Sequence, residues 1–105
     1  MNEQEFALWK WRKDRARSRL EIYLSILKAI QREKFAKPTR IMYKSNLSWI
    51  PLQGILQSLL KNRLIDIVED HYGKGRKAYC LTDDGRRALE ILENAHEIVK
   101  KIDVE

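Results

Sequence analysis

The ten residues Thr39-Arg-Ile-Met-Tyr-Lys-Ser-Asn-Leu-Ser48 decide the fold that we expect for this chain. They predict a short helix over residues 39–45, a tight turn at Asn46, and a serine at position 48 that can cap a second helix. This second helix is predicted to end near Asn62, a residue that tolerates the left-handed conformation common just past a helix. Pro51 falls at its third position, where the missing amide is tolerated. Its apolar residues form one stripe, which consists of Leu52, Ile55, Leu56, Leu59 and Leu60.

A longer helix is expected before this segment. Ser18-Arg-Leu-Glu21 is a capping-box pattern, in which serine and glutamate satisfy each other's backbone amides at the start of a helix. We therefore predict a helix over residues 19–34, followed by an interruption at Pro38. Its apolar stripe consists of Leu20, Tyr23, Leu24, Leu27 and Ile30.

A two-stranded hairpin and a long helix are expected after the segment. Residues 65–69 are rich in β-branched side chains and suit a strand, residues 78–81 suit its antiparallel partner, and the loop between them is basic. Thr82 can cap the last helix, with Asp83 and Asp84 at its positive end. The order helix, helix, helix, strand, loop, strand, helix predicts a mainly α winged helix-turn-helix with a small β-hairpin.

Length and composition favour a single globular domain. With 105 residues, 44% of them hydrophobic and 34% charged, the chain can bury a modest core without disulfide or metal support. The single cysteine, Cys80, excludes an internal disulfide and is expected to be buried or half-buried in a strand. No stretch approaches the roughly 18 apolar residues of a membrane span, so we expect a cytoplasmic protein.

The net charge of +6 is distributed unevenly along the chain. The balance is +3 over residues 1–19, +6 over residues 20–82 and −3 over residues 83–105. The first two regions can attract a polyanion, whereas the last would be repelled by one. Many basic proteins bind no nucleic acid, so the charge is informative mainly because it coincides with a helix-turn-helix.

Residues 1–17 form a basic extension that contains two tryptophans. On a helix, Phe6 and Trp9 would share one side while Leu8 and Trp11 point to another, which predicts a helix that touches two surfaces or an arm without fixed structure of its own. Three roles remain open for it. The extension can pack on its own domain or a dimer mate, contact nucleic acid through indole and arginine side chains, or bind another protein.

The last helix has an apolar stripe with coiled-coil spacing. About 20 helical residues extend roughly 30 Å, beyond a domain of this size, so the far end needs a surface to cover it. Pairing with a second copy is the simplest arrangement, and packing on the first helix or the extension is the alternative. The predicted dimerisation residues are Ala88, Leu92, Ala95, Val99 and Ile102, with Leu89, Ile91 and Ile98 widening the stripe. We thus divide the chain into an extension (1–17), a winged-helix domain (18–82) and a C-terminal coiled-coil helix (83–105).

Residues 39–48 closely resemble a segment of the archaeal winged helix-turn-helix family of small dimeric transcription regulators and chromatin-associated proteins. The resemblance covers about residues 19–90 and includes Ile26-Leu-Lys-Ala-Ile30 and Tyr79-Cys-Leu-Thr-Asp-Asp-Gly85. It implies a DNA-binding, nucleoid-associated dimer joined through the final helices, with the third helix in the major groove. This chain departs from the family pattern at Arg63, where glycine usually follows the third helix, and in its seventeen-residue extension.

The third helix is predicted to present a DNA-facing surface opposite its buried leucines. Glutamine can pair with adenine and an apolar side chain can contact a thymine methyl, but a face without arginine reads guanine poorly. We therefore expect weak sequence specificity, with affinity coming mainly from phosphate contacts. The candidate contacts on this helix and at its start are Ser48, Trp49, Ile50, Gln53, Gly54, Gln57, Ser58 and Lys61. The candidate backbone contacts are Arg40, Tyr43 and Lys44 on the second helix and Lys74, Arg76 and Lys77 in the wing.

Catalysis has little support in the sequence. His71 falls in the hairpin loop and His96 on the outer side of the last helix, where both are expected to be solvated. No metal-ligand spacing or glycine-rich phosphate loop is visible. We expect no enzyme activity, metal or cofactor. The main alternative to DNA binding is a protein-interaction module of the transcription or replication machinery that uses the extension, Trp49 and Ile50. An RNA-binding winged helix is a second alternative.

Overall fold

The computed structural model describes the backbone of residues 2–69 and 76–103, and the side chains of those residues outside positions 5–18. Its elements follow the predicted order. They are α1 (Glu3–Glu33), α2 (Pro38–Ser45), α3 (Trp49–Lys61), β1 (Ile65–Glu69), β2 (Lys77–Leu81) and α4 (Asp83–Asp103). The predicted winged-helix architecture is therefore confirmed, and α2, α3 and the strands begin and end within one residue of the predicted positions.

The first helix is longer than predicted. We expected it to start at residue 19, after a cap at Ser18, but α1 is continuous from Glu3 to Glu33. A capping box marks a helix start only where the preceding chain is not helical, and residues 2–33 contain neither glycine nor proline to interrupt the helix. The extension therefore belongs to the same helix as the first core element, and the division into 1–17, 18–82 and 83–105 stays a prediction.

The core lies where α1, α3 and the hairpin meet. From α3, Leu52, Leu56 and Leu59 are buried, as the stripe predicted, while Ile55 and Leu60 are half-buried beside them. The other buried members of this core are Leu24, Ile26, Leu27, Ile30, Ala36, Ile41, Ile65, Tyr79, Leu81 and Leu89. Two positions of α1 differ from the prediction, because Ile26 is fully buried and Tyr23 is 38% exposed.

Two left-handed residues set the turns around α3. Asn46 has a φ of 55° after α2, as predicted, and the Leu47 amide donates to the Met42 carbonyl at 3.3 Å. After α3, the left-handed residue is Arg63, with a φ of 57°, rather than the predicted Asn62. Both ends have the hydrogen bonds of a Schellman motif, which satisfies the last carbonyls of a helix.

The hairpin forms an antiparallel pair in which Ile65 lies opposite Leu81 and Glu69 lies opposite Lys77. No local pattern predicted a further bridge between β2 and the segment after α1. There, the amides of Ala36 and Tyr79 each donate to the other's carbonyl oxygen at 2.8 Å. This bridge fastens the α1–α2 connection to β2. Cys80 is half-buried in the same strand, as predicted.

The start of α4 is capped as predicted. The Gly85 amide donates to the Thr82 Oγ1 at 2.9 Å, which satisfies one of the free amides at the helix start. Gly85 is buried, and a Cβ there would lie 1.9 Å from the Leu64 carbonyl oxygen. Only glycine therefore allows the start of α4 to approach the end of α3 this closely.

Candidate nucleic-acid interface

The outer face of α3 is open to solvent. Ile50 is 83% exposed, and Gln57, Ser58 and Lys61 are also exposed, whereas Gln53 is half-buried at the edge of the face. These positions lie opposite the buried leucines of the same helix, as the helical spacing requires. The helix is therefore fixed by one side and leaves the other side free to meet a partner.

Gly54 lies on this face and has no packing role that the structure describes. A Cβ at this position would have no described atom within 4 Å. Glycine inside a helix is less stable than alanine by about 1 kcal/mol, so its presence here calls for a reason outside the chain's own packing. Gly54 and Ser58 also border a largely apolar groove of about 420 Å³ between α3, Tyr23 and Leu27 of α1, and Leu92 of α4.

Ser48 stands at the N-cap of α3, but its side chain makes no capping hydrogen bond. The prediction that this serine caps the helix was thus correct in position and wrong in its hydrogen bond. An N-cap hydroxyl bonds to the amide of the second or third helical residue, and the third residue here is Pro51, which has no amide hydrogen. Ser48 and the neighbouring Trp49 are both exposed at the start of the helix.

The predicted contacts on α2 lie on two sides of that helix. Tyr43 is exposed to solvent. Arg40 instead turns toward α1, where its Nε donates to the Glu33 Oε1 at 2.7 Å. The hydrogen bond from Arg40 lowers the pKa of Glu33, and the same bond raises the pKa of Arg40.

Lys44 lies beside two basic side chains that no sequence pattern indicated as DNA contacts. With Lys28 and Arg32 of α1 it lines a surface depression of about 260 Å³, which Glu33 also borders. The spacing of Lys28 and Arg32 places both on one side of α1. Their approach to Lys44 depends on how α1 and α2 pack, which a local pattern does not reveal.

The wing is only partly described. Lys74 lies in residues 70–75, outside the described part of the chain, so its predicted contact stays a prediction. Arg76 and Lys77 are exposed at the start of β2, and Lys77 stands opposite Glu69 in the hairpin register. Two of the three predicted wing cations are thus accessible to a partner.

The apolar residues of α4 divide between the chain's own core and the solvent. Leu89 is buried and Leu92 packs against the core, while Ala88 and Ala95 are half-buried. The exposed part consists of Ile91, Ile98, Val99 and Ile102, which are 66%, 57%, 38% and 70% exposed. The two isoleucines that we expected only to widen the stripe are therefore more available than Leu92.

His96 departs from the prediction. We expected it on the outer side of α4, but its side chain is 20% exposed and its Nε2 lies 3.7 Å from the Glu21 Oε1 of α1. The side of α4 that packs against α1 therefore includes His96. His71 falls outside the described residues. Among the side chains that are described, no group of three His, Cys, Asp or Glu could hold a metal ion.

A helix-turn-helix followed by a β-hairpin and a long fourth helix defines this chain as a winged helix-turn-helix protein. The family model described as "Winged helix-turn-helix" matches residues 16–100, so the chain belongs to that family. The family resemblance of residues 39–48 is thereby confirmed. No curated protein matches the sequence. Within the described residues, no helix is long and apolar enough to cross a membrane.

Solved structures share this fold at low sequence identity. Sso10a-2, a DNA-binding protein from Sulfolobus solfataricus, is 24% identical with a TM-score of 0.70, over 79% of this chain and 82% of that chain. The transcriptional regulator BldR from the same organism is 16% identical with a TM-score of 0.70, over 100% and 88%. BpsR from Bordetella bronchiseptica, whose DNA binding is regulated by 6-hydroxynicotinic acid, is 16% identical with a TM-score of 0.75, over 94% and 78%.

Proposed function

We propose that this protein binds double-stranded DNA as a homodimer and acts as a transcription regulator or chromatin-associated protein. In this arrangement α3 enters the major groove, and Arg76 and Lys77, with Lys74, contact the backbone or minor groove. The observation that carries the proposal is the outer face of α3, which a winged helix-turn-helix holds rigidly and leaves exposed at Ile50, Gln57 and Lys61. The DNA-binding Sso10a-2 and the regulator BldR, which share the fold, support it.

The composition of that face supports weak base specificity. Gln57, and Gln53 at the edge, can pair with adenine, and Ile50 can contact a thymine methyl group. Lys61 is the one cation on the α3 face, so guanine readout is limited. Most of the affinity would then come from phosphate contacts, which do not depend on sequence and weaken with salt.

The exposed face of α4 supports a dimer. Ile91, Ile98 and Ile102 would lie in water in a single chain, at a cost of about 25 cal/mol for each Å² of apolar surface left uncovered. A second α4 offers the same surface, so a two-fold arrangement would cover both helices at once. Two copies of α3 held in one dimer would also raise the affinity for a duplex.

The exposed Trp49 and Ile50 favour one other candidate function, a protein-interaction surface. Competition binding separates the candidates, using a labelled duplex, an unlabelled duplex and a structured RNA of equal length, each at two salt concentrations. The proposed function predicts duplex binding at low salt that the duplex competitor removes more effectively than the RNA. Absence of duplex binding at low salt would favour the protein-interaction surface, and stronger competition by the RNA would favour an RNA-binding winged helix.

A further inference from the structure

Positive charge is concentrated on residues 28–44, as it is on residues 10–19, and not on α3. Residues 28–44 contain six basic side chains and a single acidic one, a balance of +5 in a chain whose net charge is +6. These residues form the end of α1, the connection and nearly all of α2. A polyanion that approached the protein would be attracted to this region more than to the outer face of α3.

Folding gathers four of these cations around one carboxylate. Lys28, Arg32 and Lys44 line the depression between α1 and α2, and Arg40 bonds to Glu33 at its border. The members of each helical pair are four residues apart, so they share one side of their helix. We name these four residues, Lys28, Arg32, Arg40 and Lys44, the α1–α2 basic patch.

The patch lies on a different side of the protein from the α1–α3–α4 groove. Tyr23 and Leu27 line that groove, whereas Lys28 and Arg32 project from about the opposite side of α1, since residues five apart differ by roughly 140° around a helix. α2 carries Arg40 and Lys44 of the patch and directly precedes α3 in the chain. Tyr43, which lies between Arg40 and Lys44 in the sequence, is exposed. A duplex that contacts α3 must therefore extend past α2 to reach the patch.

We infer that the α1–α2 basic patch binds the phosphodiester backbone of the duplex on which α3 sits, beyond the groove that α3 occupies. This inference rests on the proposed DNA binding. Guanidinium and ammonium groups are the side chains that bind phosphate, and four of them on two rigid helices can follow several phosphates in succession. The patch supplies affinity without base readout, which suits a recognition helix with a single cation.

Glu33 has a defined part in this binding. In the free protein its Oε1 accepts from the Arg40 Nε, so the Glu33 carboxylate competes with a phosphate for the charge and for one of the five donors of the guanidinium. Because the Arg40–Glu33 pair is exposed to solvent, a phosphate can reach Arg40 and replace the carboxylate. Loss of the carboxylate frees Arg40 and removes the one negative charge from the patch, so affinity for DNA rises.

The patch is tested by a pair of double variants with equal loss of charge. Lys28→Ala with Arg32→Ala alters the patch, and Lys100→Ala with Lys101→Ala alters the exposed end of α4. Each phosphate contact contributes about 0.9 to the slope of log affinity against log salt, so the patch variant should lose about 2 per protomer from this slope, or about 4 if both protomers of a dimer contact the duplex, and bind about tenfold or more weakly at low salt. The α4 variant should keep the slope of the unaltered protein. Equal slopes in the two variants would overturn the inference.

Glu33→Gln provides a test of opposite sign. Its matched control is Glu97→Gln, because Glu97 pairs with Lys100 at 4.0 Å on α4. Glu33→Gln should bind a labelled duplex several-fold more tightly than the unaltered protein, and Glu97→Gln should bind it as the unaltered protein does. Equal or weaker binding by Glu33→Gln would reject the competition for Arg40. If the unaltered protein bound no duplex at low salt, the proposed function would fail along with the patch, whereas failure of the patch alone leaves the unaltered protein binding DNA.

Discussion

The Thr82 hydroxyl donates a hydrogen bond of 2.7 Å to the carbonyl oxygen of Arg63. The same hydroxyl accepts the Gly85 amide at the start of α4, and the Thr82 amide donates to the Leu64 carbonyl at 3.1 Å. One side chain therefore connects the end of α3 to the start of α4, the helix that we propose for dimerisation. This connection fixes the end of α3 against the start of α4, the two elements that we propose for DNA contact and dimerisation.

Thr82→Ala should destabilise the protein by about 1–2 kcal/mol, because it removes a helix cap and leaves the Arg63 carbonyl without this donor. Thr82→Ser keeps the hydroxyl and should recover most of that loss. Thermal or urea unfolding of the two variants measures the difference. Equal destabilisation by alanine and serine would show that the threonine methyl group, and not the hydroxyl, is responsible.

The two helical glycines should respond oppositely to alanine. Gly85→Ala forces a methyl group against the Leu64 carbonyl oxygen and should cost about 3 kcal/mol or more. Gly54→Ala meets open space and should stabilise the fold by about 1 kcal/mol, yet it should weaken duplex binding if DNA approaches the helix at this position. Unfolding and DNA-binding titrations on the same samples test both. A Gly54→Ala protein that is more stable and binds DNA unchanged would place the contact elsewhere on α3.

Arg63→Gly should stabilise the protein by about 0.5–1 kcal/mol. A non-glycine residue in the left-handed region costs about 1–2 kcal/mol, and glycine would remove this cost. The greater freedom of glycine in the unfolded chain offsets part of the resulting gain in stability. Arg63→Ala is the control, since it removes the charge and keeps the strain. If both variants changed the unfolding midpoint equally, side-chain contacts of Arg63 would outweigh its backbone conformation.

Much of the fold could be predicted from local patterns, but contacts between distant elements could not. The stripe from Leu52 to Leu60 and the turn at Asn46 were correct, because periodicity and turn chemistry act over a few residues. The sequence pointed to Asn62 as the left-handed residue, whereas the Schellman hydrogen bonds place Arg63 there. The family's glycine at this position was the signal that could have corrected it.

The candidate site shows the same division. The outer face of α3 followed from helical geometry, and the structure agrees with it. The pairing of Arg40 with Glu33, and the approach of Lys44 to Lys28, require the packing of α2 on α1. Charge spacing alone therefore assigned Arg40 and Lys44 to the DNA backbone without the α1 residues that accompany them.

A charged residue at position 98 should prevent dimer formation. Ile98 is exposed on α4 among the other apolar residues of its face, so Ile98→Glu would bury a carboxylate at the proposed interface without a partner. Light scattering should give a mass near twice 12.5 kDa for the unaltered protein and for Ile98→Val, and about 12.5 kDa for Ile98→Glu. A dimer that persists in Ile98→Glu would place the interface outside this face of α4.

Anisotropy of a labelled duplex tests most directly whether the outer face of α3 binds DNA. Gln57→Glu with Lys61→Glu places two carboxylates on that face and changes the charge by −3, and Arg86→Gln with Lys100→Glu makes the same change in charge on exposed positions of α4 away from its apolar face. The α3 variant should bind about tenfold or more weakly than the unaltered protein at low salt, with an unchanged unfolding midpoint, while the α4 variant loses much less. Equal losses in the two variants, or no binding by the unaltered protein, would contradict the account.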